Sequence, residues 1–380
     1  MTSRLRILHV SSAIGFGGVE LRILNELLAM RARGHLLQVI CPAKSELGRR
    51  AQHSGFTTHH VEMTGWIASA SALMKIRAVM RGGAFDVINT HSVADDLRIG
   101  LIARLMKRRL IVRTQHREGR QRVFNALGVT SDHVITVSEC QRQRFLQSGF
   151  SAHHVQAVPT GLDVQCPNQQ PSAVRHALGI PSGAIVVGCL ADDRDMQGFR
   201  ILLEAMCPLM ECHQDVHLLL AGLDELQQCN LTRRAFDIGL KSRIHFVDRP
   251  VYSDKLLGAF DIYAVAPESC VAGSTFVEAS AHGVPVVGTA VGCIPEVIEN
   301  GVSGYVVLPS DRLILRSVIG KLIEDGELRR RFGIAGRQKF EPHGKFSSIR
   351  MAEALESLYL GWLRASQAEE QACGIHARHR

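Results

Sequence analysis

Residues 267–283 read PESCVAGSTFVEASAHG and run directly into VPVVGT. A loop of small residues that enters a helix can hold a phosphorylated ligand. Glycine lets the backbone come close, and the unpaired N–H groups of the first helical turn face an anion. Gly273, Ser274 and Thr275 stand in that position, and Ser274 or Thr275 can also cap the helix. One turn further in, Glu278 can accept hydrogen bonds from ribose hydroxyls. The other reading is a plain capping loop followed by a solvated glutamate.

Three further stretches carry residues of the right type. GFGGVE, residues 15–20, lies between an apolar run and a helical pattern, and Gly17 and Gly18 would admit a diphosphate. A tight turn is the alternative. The spacing is not that of a dinucleotide fingerprint, because Glu20 stands where the third glycine would be. RTQHREG, residues 113–119, closes a strand. His116 could donate to a sugar hydroxyl or meet a developing charge, with Arg113 orienting it; a structural strand-end histidine is the other option. In GCLADDRDMQG, residues 188–198, Asp193 and Asp195, on either side of Arg194, form an Asp-x-Asp pattern that could hold a divalent metal with a diphosphate, or the aspartates could cap a helix. The Arg194 guanidinium can make two parallel bonds to a diphosphate.

These loops need a frame that brings strand ends together. RILHVSS, LLQVICP, AFDVINTH, RLIVRTQH and HVITVS are apolar runs of strand length separated by helical patterns. ELRILNELLAMRARG places Leu21, Leu24, Leu27 and Leu28 on one helical face and stops at Gly34. Strand–helix alternation predicts a parallel sheet wrapped by helices. The pattern relaxes near VPTGLDVQCPNQQPS and restarts with AIVVGCLA, VHLLLAGL, RIHFVD, FDIYAVAP and VPVVGTA. The expected fold class is therefore α/β, with two Rossmann-like doubly wound domains facing a central cleft. The expected boundaries are a first domain at 1–164, a linker at 165–182, a second domain at 183–343, a helix at 344–366 able to cross back to the first domain, and a frayed tail at 367–380.

Composition narrows the partners. No apolar run approaches the roughly 20 residues that span a bilayer, and the N-terminus reads as a first strand rather than a secretory leader. The ten cysteines show no metal-ligand spacing, so reduced, buried thiols in a cytoplasmic protein are expected. Residues 1–163 carry 22 basic and 11 acidic side chains, a balance of +11, against −3 for the remainder. A basic first half suits an anionic partner, such as a phosphorylated lipid or the inner face of the plasma membrane. Aromatics are only 5% of the chain, which argues against nucleic-acid stacking platforms.

In order and spacing, GGVELRILNELLAMRARGH, DVINTHS, RTQH, VPTGLD, VGCLADDRDMQG, HGVPVVGTAVGCIPEVI and NGVSGYVV resemble glycosyltransferase family 4, of GT-B architecture. The likeness runs from RILHVSS to near Trp362 and looks closest to the bacterial lipopolysaccharide and surface-polysaccharide branch. It implies a retaining transfer from a UDP- or GDP-linked sugar to a glycan or lipid-linked acceptor, with no cofactor, no obligatory metal and no protein nucleophile. By the same resemblance the second domain takes the donor and the first takes the acceptor. Gly17 and Gly18 match the glycine loop that closes over the donor diphosphate, and His116 matches the histidine beside the transferred sugar. Arg194 matches the diphosphate arginine, and Glu278 the second of two glutamates eight positions apart.

Two positions depart from the family pattern. Counting back eight from Glu278 gives Cys270, followed by Val271 in place of glycine, and Gln197 stands where a lysine usually precedes Gly198. Glu268 is two residues out of register. A thiol is a weak hydrogen-bond partner, and a neutral amide carries no charge against phosphate. An active transferase is expected first. A catalytically degenerate binding or scaffolding subunit, and a nucleotide-sugar epimerase on the same architecture, stand as alternatives.

Overall fold

The computed structural model describes residues 4–63, 70–104, 106, 110–116, 130–163, 171–190, 196–223, 228, 231, 239–247, 256–268 and 275–377. The chain divides into two compact units. One comprises residues 1–161 together with 345–380, and the other residues 162–344.

The first unit holds β1 (Arg6–Val10), β2 (Leu36–Cys41), β3 (Thr57–His60), β4 (Val87–Thr90), β5 (Leu110–Gln115), β6 (His133–Thr136) and β7 (Val155–Ala157). They form one parallel sheet in the order β3-β2-β1-β4-β5-β6-β7. β1, β4 and β5 are wholly or almost wholly buried, as strands covered on both faces must be. Strand order reverses between β1 and β4, so the crevice for a ligand opens at their carboxyl ends.

The second unit repeats the plan with β8 (Ile185–Leu190), β9 (Val216–Ala221), β10 (Ile244–Val247), β11 (Ile262–Val265), β12 (Val286–Thr289) and β13 (Gly304–Val307). Their order is β10-β9-β8-β11-β12-β13, again parallel, with its switch point between β8 and β11. Its core gathers Val187, Leu218, Leu220, Ile262 and Val287 from the sheet with Leu202, Met206, Ile319 and Phe332 from covering helices.

Two local readings need correction. The stretch 165–182 is not a bare linker, because Pro171–Ala177 is helical. Proline suits a first helical position, where its missing N–H is not needed. Arg175 ties this helix to the second unit: it donates from Nη2 to Asp261 Oδ2 at 2.8 Å and from Nε to the Ala259 carbonyl at 3.0 Å. The tail at 367–380 is not frayed throughout, since one helix runs Ser348–Ala377. QAEEQACGIHA contains no proline, and adding residues to an existing helix costs little.

The helix Gly18–Ala32 turns a mixed face inward. Ile23, Leu27 and Met30 are buried there beside Arg22, Asn25 and Glu26, while Leu21, Leu24 and Leu28 are half-buried. Leu24 and Leu28 pack at the edge of a core that the C-terminal helix completes with Met351, Ala352, Leu355, Tyr359 and Trp362. These positions recur every three or four residues, as one buried helical stripe requires. The chain leaves the first unit at Gly161, where an added Cβ would lie 2.5 Å from the Ser347 carbonyl oxygen. Only glycine allows the outgoing and returning strands of chain to pass so closely.

Candidate functional site

In the first unit the candidate residues lie in or beyond the carboxyl-terminal parts of β1 and β5. Gly17 and Gly18 open the helix Gly18–Ala32, the first helix after β1. The Gly17 N–H donates to Glu20 Oε2 at 2.9 Å, so the loop caps itself with its own carboxylate. This carboxylate complements the positive end of the helix dipole.

His116 follows β5 and is only 7% exposed. Its Nε2 lies 2.9 Å from His91 Nδ1, and its carbonyl accepts from Gln141 Nε2 at 3.3 Å. Arg113, expected to orient His116, makes its described contacts within the sheet end. Its guanidinium donates to Gln115 Oε1 and sits 4.0 Å from Asp96 Oδ2, in a fully buried setting. Asp96 also accepts from Thr90, Thr130 and Ser131. Arg113 thus helps hold the sheet end together, while His91 meets the His116 ring and Gln141 its carbonyl.

The sequence reading missed the residues behind His116. His91 follows β4, and its Nε2 lies 3.0 Å from Nδ1 of His9 on β1. His9 Nε2 is 3.8 Å from Glu26 Oε1. That oxygen accepts from Asn89 Nδ2 at 3.3 Å and from Tyr359 Oη at 3.2 Å. Arg22, fully buried on the same helix as Glu26, donates to Thr160 Oγ1 at 3.1 Å. One signal was present: RILH, INTH and RTQH each place a histidine at or near a strand end.

In the second unit Glu278 lies inside the helix Thr275–Ala281 and is 6% exposed. It is thus not the solvated glutamate of the plain capping-loop reading. Thr275 Oγ1 is 2.6 Å from the hydroxyl of Tyr263, a fully buried residue of β11. Burial pushes the Tyr263 phenol well above its usual pKa, so it stays a neutral hydrogen-bonding group. Gln197, the second residue of the helix Met196–Cys212, is exposed. Glu268 is exposed and accepts from Ser310 Oγ, which gives it a partner outside the loop. Arg194, Asp193, Asp195, Cys270, Val271, Gly273 and Ser274 lie outside the described residues.

Among the described residues no cluster of His, Cys, Asp and Glu is arranged to hold a metal ion. No described helix is long and apolar enough to cross a membrane. Cys41 and Cys189 are buried as expected of structural thiols, whereas Cys212 is exposed.

The buried histidines have a measurable consequence. Burial lowers the pKa of His9 and His91, and brings those of His133 and His245 down to about 4. The unfolded chain, with histidines near 6.5, binds more protons than the folded one between about pH 6.5 and 4. Stability is therefore fully present above pH 6.5 and is lost as the pH falls toward 4. Asp95, raised by burial, opposes this trend. A melting temperature several degrees lower at pH 5 than at pH 7.5 is expected, and a flat profile would contradict it.

Two family profiles cover most of the chain. The one described as Glycosyltransferase Family 4 matches residues 16–165, and Glycosyl transferases group 1 matches residues 172–339. The chain belongs to glycosyltransferase family 4. Its two parallel Rossmann-like sheets are the GT-B architecture.

Other members resemble this family 4 chain to different extents. A D-inositol 3-phosphate glycosyltransferase of Corynebacterium jeikeium (strain K411) is 30% identical over 249 residues, 61% of this chain and 58% of that protein. The alignment thus spans little more than half of that relative. A phosphatidyl-myo-inositol mannosyltransferase of Mycobacterium leprae is 26% identical over 342 residues, covering 85% of this chain and 88% of its own. Among solved structures, Anabaena HepE in complex with UDP and glucose superposes with a TM-score of 0.79 at 19% identity, covering 93% of this chain and 99% of that one. At that identity the match speaks for the fold.

Proposed function

We propose that this family 4 member transfers a hexose, with retention of anomeric configuration, from a UDP- or GDP-linked donor to a lipid-linked or glycan acceptor in surface-glycan assembly. The observation that carries the reading is Glu278. It is a buried carboxylate one turn into a helix at the carboxyl end of β11, in register with the family's ribose-binding glutamate. Arg194 and the amides of Gly273, Ser274 and Thr275 take the diphosphate, Gln197 and Cys270 line the donor, and Gly17 and Gly18 close over it. His116 meets the transferred sugar. The departing phosphate helps deprotonate the acceptor hydroxyl, without a metal or a protein nucleophile.

Relatives that act, by name, on inositol phosphate and phosphatidylinositol support an anionic acceptor. The +11 balance of residues 1–163 suits one. A peripheral seat on the cytoplasmic membrane face belongs to the same proposal. Binding to anionic vesicles that weakens with salt is its test, and absence of binding even at low salt would remove it.

Titrating UDP, GDP and their common sugar conjugates against the purified protein, by heat or by melting temperature, tests the donor site. Binding of one nucleotide and release of free nucleotide on adding acceptor are expected; no binding of any would end the transferase reading. A second reading, a binding subunit with a decayed donor site, draws on Cys270 and on Gln197, exposed where the family carries lysine. Tight nucleotide binding without turnover would favour it.

A further inference from the structure

His116, His91, His9 and Glu26 lie in series across the carboxyl ends of three adjacent strands and into the first helix. The two histidine gaps are 2.9 and 3.0 Å, and the last step, to Glu26 Oε1, is 3.8 Å. His9 and Glu26 have no exposed surface, and His91 and His116 have 7% each. Nitrogens 2.9–3.0 Å apart leave no room for an ion between them, since two metal–nitrogen bonds need about 4 Å in total. Each gap must instead hold one hydrogen.

That requirement couples the rings. Burial keeps His9 and His91 uncharged near neutral pH. A neutral imidazole has one N–H and one lone pair, so assigning the hydrogen at one end assigns it throughout. Glu26 sits at the inner end. Its Oε1 already accepts from Asn89 and Tyr359, and fully buried Arg22 lies close enough to interact with its charge. A lone pair on His9 Nε2 facing that carboxylate would be repelled, whereas an N–H is attracted even at 3.8 Å. His9 then carries its hydrogen on Nε2 and accepts at Nδ1. His91 Nε2–H donates to it and accepts at its own Nδ1, and His116 Nε2–H donates to that.

We propose that Glu26, acting through His9 and His91, fixes His116 as its Nε2–H tautomer, so that Nδ1 is the basic nitrogen of the ring. His9, His91 and Glu26 are positioning residues.

The tautomer stands on the short nitrogen–nitrogen gaps and on the burial that keeps His9 and His91 neutral; its consequence for sugar transfer rests on the proposed function. The test is nitrogen NMR of the full chain labelled with 15N-histidine at pH 7.5, with resonances assigned by single His→Gln variants. All three rings should show a protonated Nε2 and an unprotonated Nδ1. His116 protonated at Nδ1, or charged, would overturn the proposal in the unsubstituted protein, whatever the variants do. In Glu26→Gln the His116 signals should move toward a mixture of tautomers. If that variant does not fold, His91→Gln interrupts the series and should produce the same mixing. Unchanged His116 signals in a folded variant would also overturn the proposal. Where transfer is measurable, Glu26→Gln should lower kcat severalfold with nucleotide binding retained. A protein that binds no nucleotide sugar but shows the tautomer series fails only the transferase reading.

Discussion

A chain ended after Gly344 is expected to lose the fold of its first unit while keeping that of its second. The C-terminal helix supplies Met351, Leu355, Tyr359 and Trp362 to the first core, none more than 8% exposed. Burying a large apolar side chain contributes about 1.5–3 kcal/mol, so four of them rival the roughly 5–15 kcal/mol that holds a typical domain together. Polar partners are lost as well. Arg33 and His35 would lose Glu356, and Glu26 would lose the Tyr359 hydroxyl. Trp362, stacked on His133 with ring centroids 4.1 Å apart, would leave that edge of the sheet open. The shortened chain should aggregate or show one melting transition instead of two by calorimetry. Residues 162–344 alone should fold, having their own core. Two transitions in the shortened protein would show that the helix is dispensable.

The second large effect is expected at the donor site. Restoring the family's charges with Cys270→Glu and Gln197→Lys should raise the rate of transfer, each recovered transition-state contact being worth roughly a hundredfold. Gln197 is exposed, so a lysine there needs no burial of charge. The rate should be followed as nucleotide released with acceptor present, beside the affinity for the donor. A double variant that binds donor normally and turns over no faster would show that these two positions do not limit the reaction.

Much of the frame was legible because parallel strands buried on both faces make continuous apolar runs. RILHV, LLQVIC, IVVGCL and VHLLLA all announce themselves in this way. Glycine and histidine at the ends of such runs then point to a site. Charged residues that face inward were not legible. Arg22 and Glu26 sit four apart on a helix whose leucines suggested a different buried face, and only the fold brings His9, Asn89 and Tyr359 to them. Tyr359 is 333 residues from Glu26 in sequence, beyond any local pattern. Arg113 looked like a partner for His116 because it is three residues away. In an extended strand, though, Arg113 and Gln115 share a face, and these are the two that bond. The helix at 171–177 was hidden by the Pro, Gln and Asn around it, and its anchor Asp261 lies 86 residues beyond Arg175.

The second unit is an insertion within the first, which the chain leaves at Gly161 and rejoins at Lys345. During synthesis, all seven strands of the first sheet emerge well before Trp362, a large residue of their core. At roughly 5–20 residues per second, the ribosome takes tens of seconds, at the slower rates, to cover the intervening stretch. The second unit can complete its own core in that interval. The part of the protein that is begun first is finished last, and meanwhile its hydrophobic seam is open to chaperones.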